Sequence, residues 1–147
     1  MRVRQLAWLL AGTGALILAA ITAALLANGS HIRVPAIAAL VTFAAMILSY
    51  LGGIEGGLAL REEAGDATAR AAALCLGALP PLAAWGMLLA LPSSQWQVAA
   101  AAVLLVAGWA ADLWLARRGV IPRWFIVLRS AFTALACVIL AIAYCLL

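Results

Sequence analysis

The sequence has little charge, no lysine and a single histidine. Only 10% of its 147 residues are charged, whereas 69% are hydrophobic, and the mean hydropathy is +1.18. Soluble domains carry about 25% charged residues, so this composition excludes a soluble globular domain. At roughly 20 residues per membrane span, the chain is predicted to be an all-α, polytopic integral membrane protein with five transmembrane helices and no second domain.

The scarcity of histidine and the positions of the cysteines argue against a metal centre. His31 stands alone in a polar turn, and Cys75, Cys137 and Cys145 fall within apolar runs without metal-ligand spacing. The sequence also has no Ser/His/Asp set, and its glycine pairs lack the strand-to-helix context that phosphate binding needs. We therefore expect no enzymatic activity, no metal and no cofactor.

Five apolar runs separated by short polar turns define the predicted membrane spans. They cover about residues 5–27, 35–60, 71–91, 98–116 and 124–147. The first run is longer than the 7–15-residue core of a signal peptide, so we interpret it as a retained span. Asn28-Gly29 and Pro35 predict a turn before the second span.

The arginines indicate how the chain lies in the membrane. Seven are in the N-terminal segment and in the loops at 61–70 and 117–123, whereas the opposite side has only Arg33. Positive residues concentrate in cytoplasmic loops, so we expect a cytoplasmic N-terminus and an external C-terminus. The same distribution explains the net charge of +4 without nucleic acid as a partner. Asp66 or Thr68 is expected to cap the third helix, and Gly119 to end the fourth.

The second and third spans contain the unusual backbone residues. Gly52 and Gly56, and likewise Gly53 and Gly57, are four residues apart. These overlapping pairs predict a broad flat face where another helix backbone can approach closely. In the third span, prolines remove helix hydrogen bonds at mid-membrane depth. The segment Pro80-Pro81, followed by Trp85, therefore predicts a kink with a cavity beside it.

Three charged residues fall inside the predicted spans: Glu55, Asp112 and Arg129. Counted from the loop arginines at 1.5 Å per residue, all three lie about 8–9 Å from the cytoplasmic boundary. Intramembrane charges usually face the bundle interior and pair with one another. Three interpretations stay open. In one, Arg129 pairs with one carboxylate as a staple that only holds the helices together, and in another the second carboxylate is free to hold a proton, a cation or a polar headgroup in a functional site. In the third interpretation the charged side chains snorkel to the membrane interface.

Several motifs resemble a known family. The stretch Ser49-Tyr50-Leu51-Gly52-Gly53-Ile54-Glu55-Gly56-Gly57 is similar to the Ser-Phe-Leu-Gly-Gly-x-x-Trp-Gly motif of domain-of-unknown-function family 3429, which includes the eukaryotic transmembrane protein 69. The family's later motifs resemble, in the same order, Gly77-x-x-Pro80-x-x-x-x-Trp85, Asp112, and Pro122-Arg123-Trp124-Phe125-x-x-x-Arg129-x-x-x-Thr133. Gly56 departs from the family, which usually has Trp there. The resemblance implies a multi-pass protein of the bacterial inner membrane and implies no activity.

Three functional hypotheses follow. The first is a binding protein for a lipid, a quinone-like molecule or another hydrophobic ligand, or for a membrane-protein partner or second copy. Its cavity is expected between spans 2, 3 and 5, shaped by Pro80-Pro81, Trp85 and the glycines, with the three charges at its polar end. The second is a small proton-coupled transporter, and the third an assembly or stability subunit of a membrane complex.

Overall fold

The computed structural model describes residues 3–26, 30–61 and 65–147. Within these residues the chain forms five α-helices: α1 (Val3–Leu26), α2 (Ser30–Ala59), α3 (Ala67–Ala90), α4 (Ser94–Arg117) and α5 (Arg123–Leu146). Each of them is long and apolar enough to cross a membrane. The prediction of an all-α chain with five helices long and apolar enough to span a membrane is therefore confirmed, and the predicted orientation of the termini stays a prediction.

Three helices, α2, α3 and α4, begin four or five residues earlier than predicted. α2 starts at Ser30 and continues through Pro35, so the turn predicted before Pro35 is wrong from residue 30 onwards. Asn28 and Gly29 lie outside the described residues. A proline this close to a helix N-terminus removes a single backbone hydrogen bond, which does not stop the helix. α4 starts at Ser94 because the Ser93 hydroxyl accepts a 3.4 Å hydrogen bond from the backbone N–H of Trp96.

Two helix ends agree with the sequence analysis. The Asp66 carboxylate caps α3, since its Oδ1 accepts a 2.7 Å hydrogen bond from the backbone N–H of Ala69. Gly119 follows the C-cap of α4 with a φ of 78°, a left-handed conformation that glycine adopts without strain. The backbone N–H groups of Gly119 and Val120 donate to the carbonyls of Ala116 and Leu115, which is the Schellman pattern.

The helices pack around α2. α2 packs against α1, α3 and α4, and its most extensive contact is with α3. α5 packs against α1 and α4. Among the described residues α2 and α5 make no direct backbone packing contact.

Buried apolar side chains form two clusters at different levels of the bundle. The larger contains residues such as Leu48, Leu105 and Leu140, and the smaller contains Leu115 and Phe125 among others. On each of α2, α4 and α5, one charged residue separates the residues of the larger cluster from those of the smaller cluster along the chain. These charged residues are Glu55, Asp112 and Arg129. The polar centre of the bundle is thus enclosed by apolar layers on both sides.

Candidate functional site

The structure brings the three intramembrane charges together. Arg129 Nε donates a 2.8 Å hydrogen bond to Asp112 Oδ2, which joins α5 to α4. Glu55 on α2 interacts electrostatically with both residues. The residues Glu55, Asp112 and Arg129 are only 2%, 0% and 3% exposed, so their side chains do not reach the surface of the bundle as snorkelling would require.

The cluster is incompletely paired. Glu55 Oε1, Asp112 Oδ1 and Arg129 Nη1 are buried and have no hydrogen-bond partner. Thr133, one helical turn after Arg129, is buried with its hydroxyl unpartnered in the same way. Buried polar groups are normally hydrogen-bonded in folded proteins, so several orphan groups on neighbouring helices suit a site that receives another group.

Two neighbours of the cluster were missed by the sequence analysis. Gly108 lies one turn before Asp112, and a Cβ at this position would come within 2.9 Å of Arg129 Nη2. Trp109 Nε1 donates a 2.9 Å hydrogen bond to Ser130 Oγ, a second polar link between α4 and α5. In the sequence, these residues are marked only by their closeness to Asp112 and Arg129. This closeness predicts a contact only when α4 and α5 are known to pack together.

The predicted glycine face divides into two parts. The backbones of Gly52 and Gly56 lie against α3, where a Cβ at Gly77 would lie 2.7 Å from the Gly52 carbonyl oxygen and 2.8 Å from the Gly56 nitrogen. Of the two, only Gly52 would direct a Cβ at α3, since an added Cβ at Gly56 has no atom within 4 Å. Gly53 and Gly57 are exposed, with no atom within 4 Å of an added Cβ. One broad face shared by all four glycines is therefore wrong, because residues one position apart point about 100° apart around a helix.

The proline pair packs closely against α2. An added Cβ at Gly52 would lie 3.0 Å from Pro81 Cδ and 3.3 Å from Pro80 Cβ. α3 remains helical through both prolines, and Trp85 is 65% exposed. None of the three lines either of the cavities described. The cavity expected beside Pro80, Pro81 and Trp85 stays a prediction, although α2 and α3 approach each other closely at Gly52.

A groove instead lies between α1, α2 and α5. Its volume is about 240 Å³, and it occupies the space where α2 and α5 do not pack directly. Arg129 and Tyr50 are the residues with polar side chains in its lining, and the other lining residues are apolar. The lining residues are Leu6, Ala7, Leu10, Ala11, Gly14, Ile47, Tyr50, Leu51, Ile54, Phe125, Leu128, Arg129 and Phe132.

The remaining predicted site residues, Ser49, Tyr50 and Trp124, lie at different places in the bundle. The Ser49 hydroxyl donates a 3.0 Å hydrogen bond to the Ala45 carbonyl within α2, and Tyr50 is 61% exposed. Trp124 stacks under Arg4, whose Cζ is 5.8 Å from the ring centroid, near the end of the bundle where α1 and α5 begin. The side chain of His31 lies outside the described part of the structure.

The match to a family model covers nearly the entire sequence. The model of the proteins of unknown function DUF3429 matches residues 3–145. The chain belongs to the DUF3429 family. No curated protein and no solved structure matches it.

In this DUF3429 protein, the charged cluster and the groove meet at one residue. Arg129 pairs with Asp112 inside the bundle and also lines the groove. Its Nη1 atom is without a partner, so it retains hydrogen-bonding capacity.

Proposed function

We propose that this DUF3429 protein is a non-enzymatic protein of the bacterial inner membrane that binds an amphipathic molecule in the α1–α2–α5 groove. The occupant is a lipid or a quinone-like molecule with an uncharged, hydrogen-bond-accepting head. The observation that carries this proposal is an apolar groove whose lining includes one buried arginine, Arg129.

The acidic groups around Arg129 favour a ligand whose head group is uncharged. Arg129 already pairs with Asp112, and Glu55 interacts with both of them. A carboxylate or phosphate placed beside Arg129 would therefore compete with the Asp112 carboxylate that already pairs with it, in a region of low dielectric constant. A carbonyl or hydroxyl oxygen would accept a hydrogen bond without adding charge.

The size and openness of the groove indicate that it would enclose only part of a bound molecule. Pockets that bury a drug-sized ligand have volumes of about 300–1,000 Å³, whereas this groove has about 240 Å³. Leu10 and Tyr50 in its lining are more than half exposed, so it opens on the outer surface of the bundle. It would hold the head and the first part of the tail, while the rest of the tail stays in the bilayer. With the N-terminus in the cytoplasm, as the arginine distribution predicts, the groove lies in the cytoplasmic leaflet.

A matched pair of glycine substitutions on α1 tests the proposal. Gly14 lines the groove, and an added Cβ there lies 3.7 Å from the Phe132 ring, so Gly14→Leu would fill it. Gly12 is exposed with no atom within 4 Å of an added Cβ, so Gly12→Leu adds the same side chain outside the groove.

The assay is photocrosslinking in nanodiscs with diazirine-labelled probes: a short-tailed quinone, a neutral diacylglycerol and an anionic phosphatidylglycerol. We expect at least one neutral probe to label groove peptides of the wild type and of Gly12→Leu, and to label Gly14→Leu at least fivefold less. Equal labelling of the two variants would mean that the probe samples the outer surface only. Preferential labelling by phosphatidylglycerol would contradict the uncharged head.

A further inference from the structure

The charged cluster lacks one positive charge. Two carboxylates, Glu55 and Asp112, face a single guanidinium, Arg129, so the cluster would carry a net charge of −1 if all three were ionised. All three side chains are buried between apolar clusters. An uncompensated buried charge is strongly destabilising, and such groups are found paired or neutralised instead.

Neighbouring helices do not supply the missing charge. Among the described residues, the electrostatic partners of Glu55 are Asp112 and Arg129, and those of Asp112 are Glu55 and Arg129. The other ionisable groups on the helices that pack against α2 are not among these partners. They are Arg4 on α1, Arg70 and Cys75 on α3, and Arg117 on α4.

A proton fits this cluster better than a metal ion. Hard cations such as calcium take about 6–8 oxygen ligands. In the described part of the chain no three His, Cys, Asp or Glu side chains come together as a ligand group. A proton needs only one donor and one acceptor oxygen, and the Glu55 and Asp112 carboxyl groups lie within interaction range of each other.

We propose that the Glu55–Asp112 pair is a proton-binding site that holds one exchangeable proton. The proton resides on Glu55, whose O–H donates to the Asp112 carboxylate, while Asp112 stays ionised and paired with Arg129. The cluster is then neutral. Release breaks the Glu55 O–H bond, leaves the electron pair on Glu55 and passes the proton to water. Arg129 pairs with Asp112 rather than with Glu55, which leaves Glu55 as the group that exchanges it.

Infrared spectroscopy of the complete protein in lipid tests this site, because a protonated carboxylic acid has a C=O stretch that a carboxylate lacks. The sequence has three glutamates, Glu55, Glu62 and Glu63, and two aspartates, Asp66 and Asp112. Glu62 and Glu63 fall in the polar loop predicted from the sequence, where a glutamate is ionised at neutral pH. Labelling all glutamates with ¹³C at the side-chain carboxyl therefore identifies Glu55 without any mutation.

We expect one protonated-acid band at neutral pH in the wild type, shifted by ¹³C-glutamate, unaffected by ¹³C-aspartate and lost in a single step as the pH is raised. Glu55→Gln should abolish it, and Asp66→Asn, which alters an exposed carboxylate, should leave it unchanged. A missing band, or one shifted by ¹³C-aspartate instead, would overturn the assignment. A band that appears only when sodium is removed would show that a metal cation takes the place of the proton.

The site is independent of ligand binding in the groove. Gly14→Leu blocks the groove but touches neither Glu55 nor Asp112, so it should leave the infrared band unchanged. If photocrosslinking fails while the band is present, the groove proposal fails alone. If the band is absent while labelling is lost only in Gly14→Leu, the proton site fails alone.

Discussion

An alanine at Gly77 would place a methyl group inside the α2–α3 contact. The new Cβ would lie 2.7 Å from the Gly52 carbonyl oxygen, 2.8 Å from the Gly56 nitrogen and 3.2 Å from the Gly56 Cα. All three are backbone atoms, so no side chain can rotate away. To restore a carbon–oxygen contact of about 3.3–3.6 Å, the two helices would have to separate by roughly 0.6–0.9 Å.

The expected loss of stability is the difference between two effects. Overpacking by a methyl group in a well-packed interface costs about 1–3 kcal/mol. Replacing glycine by alanine inside a helix stabilises the helix by up to about 1 kcal/mol. We therefore expect Gly77→Ala to lower the free energy of unfolding by up to about 2 kcal/mol, since the α2–α3 packing is the most extensive in the bundle.

Gly86→Ala is the matched control because it makes the same change on the same helix. An added Cβ at Gly86 has no atom within 4 Å, so this variant keeps the gain in helix propensity without the steric cost. The measurement is equilibrium unfolding in mixed micelles, followed by tryptophan fluorescence and circular dichroism. If the two variants are equally stable, the close approach of α2 and α3 at Gly52 and Gly56 is not present in the folded protein.

Three further predictions concern the ion pair and the helix ends. Asp112→Leu alone should lower the free energy of unfolding by up to about 3–5 kcal/mol, because it removes the carboxylate bonded to Arg129 Nε and leaves Glu55 as the remaining carboxylate near that guanidinium. Adding Arg129→Met should recover much of that loss in the same unfolding assay; an additive double variant would argue against a structural staple. Asp66→Ala should cost about 1 kcal/mol through loss of the α3 N-cap, and Thr68→Ala in the same turn should be close to neutral in thermal unfolding. Gly119→Ala should cost about 1–2 kcal/mol, because its φ of 78° is strained for other residues; a neutral result would mean that the Schellman turn is not formed.

The sequence was sufficient to predict the membrane class and the level of the charged residues. Apolar runs of membrane length predicted each helix, because every backbone group in lipid must be satisfied within its own segment. Counting residues from the loop arginines placed Glu55, Asp112 and Arg129 at one depth, because helical rise is constant. The caps at Asp66 and Gly119 were also predictable, since capping depends on a few adjacent residues.

Pairing and cavities depended on how the helices are arranged around one another. The sequence left open whether Arg129 pairs with Glu55 or with Asp112, since both lie at the same depth. The structure pairs it with Asp112 because α4 packs directly against α5. The cavity was expected at Pro80-Pro81, yet the described groove lies between α1, α2 and α5.

The two glycine pairs also show that the sequence does not predict which helix face meets a neighbour. Gly52 and Gly56 contact α3 while Gly53 and Gly57 stay exposed, although the two pairs have identical spacing. In lipid, apolar residues surround a helix on every side, so hydropathy does not show which face meets a neighbour. The sequence determined what crosses the membrane and at what depth its charges lie. Tertiary packing alone decided which helices are neighbours, and hence which charges pair and where a cavity remains.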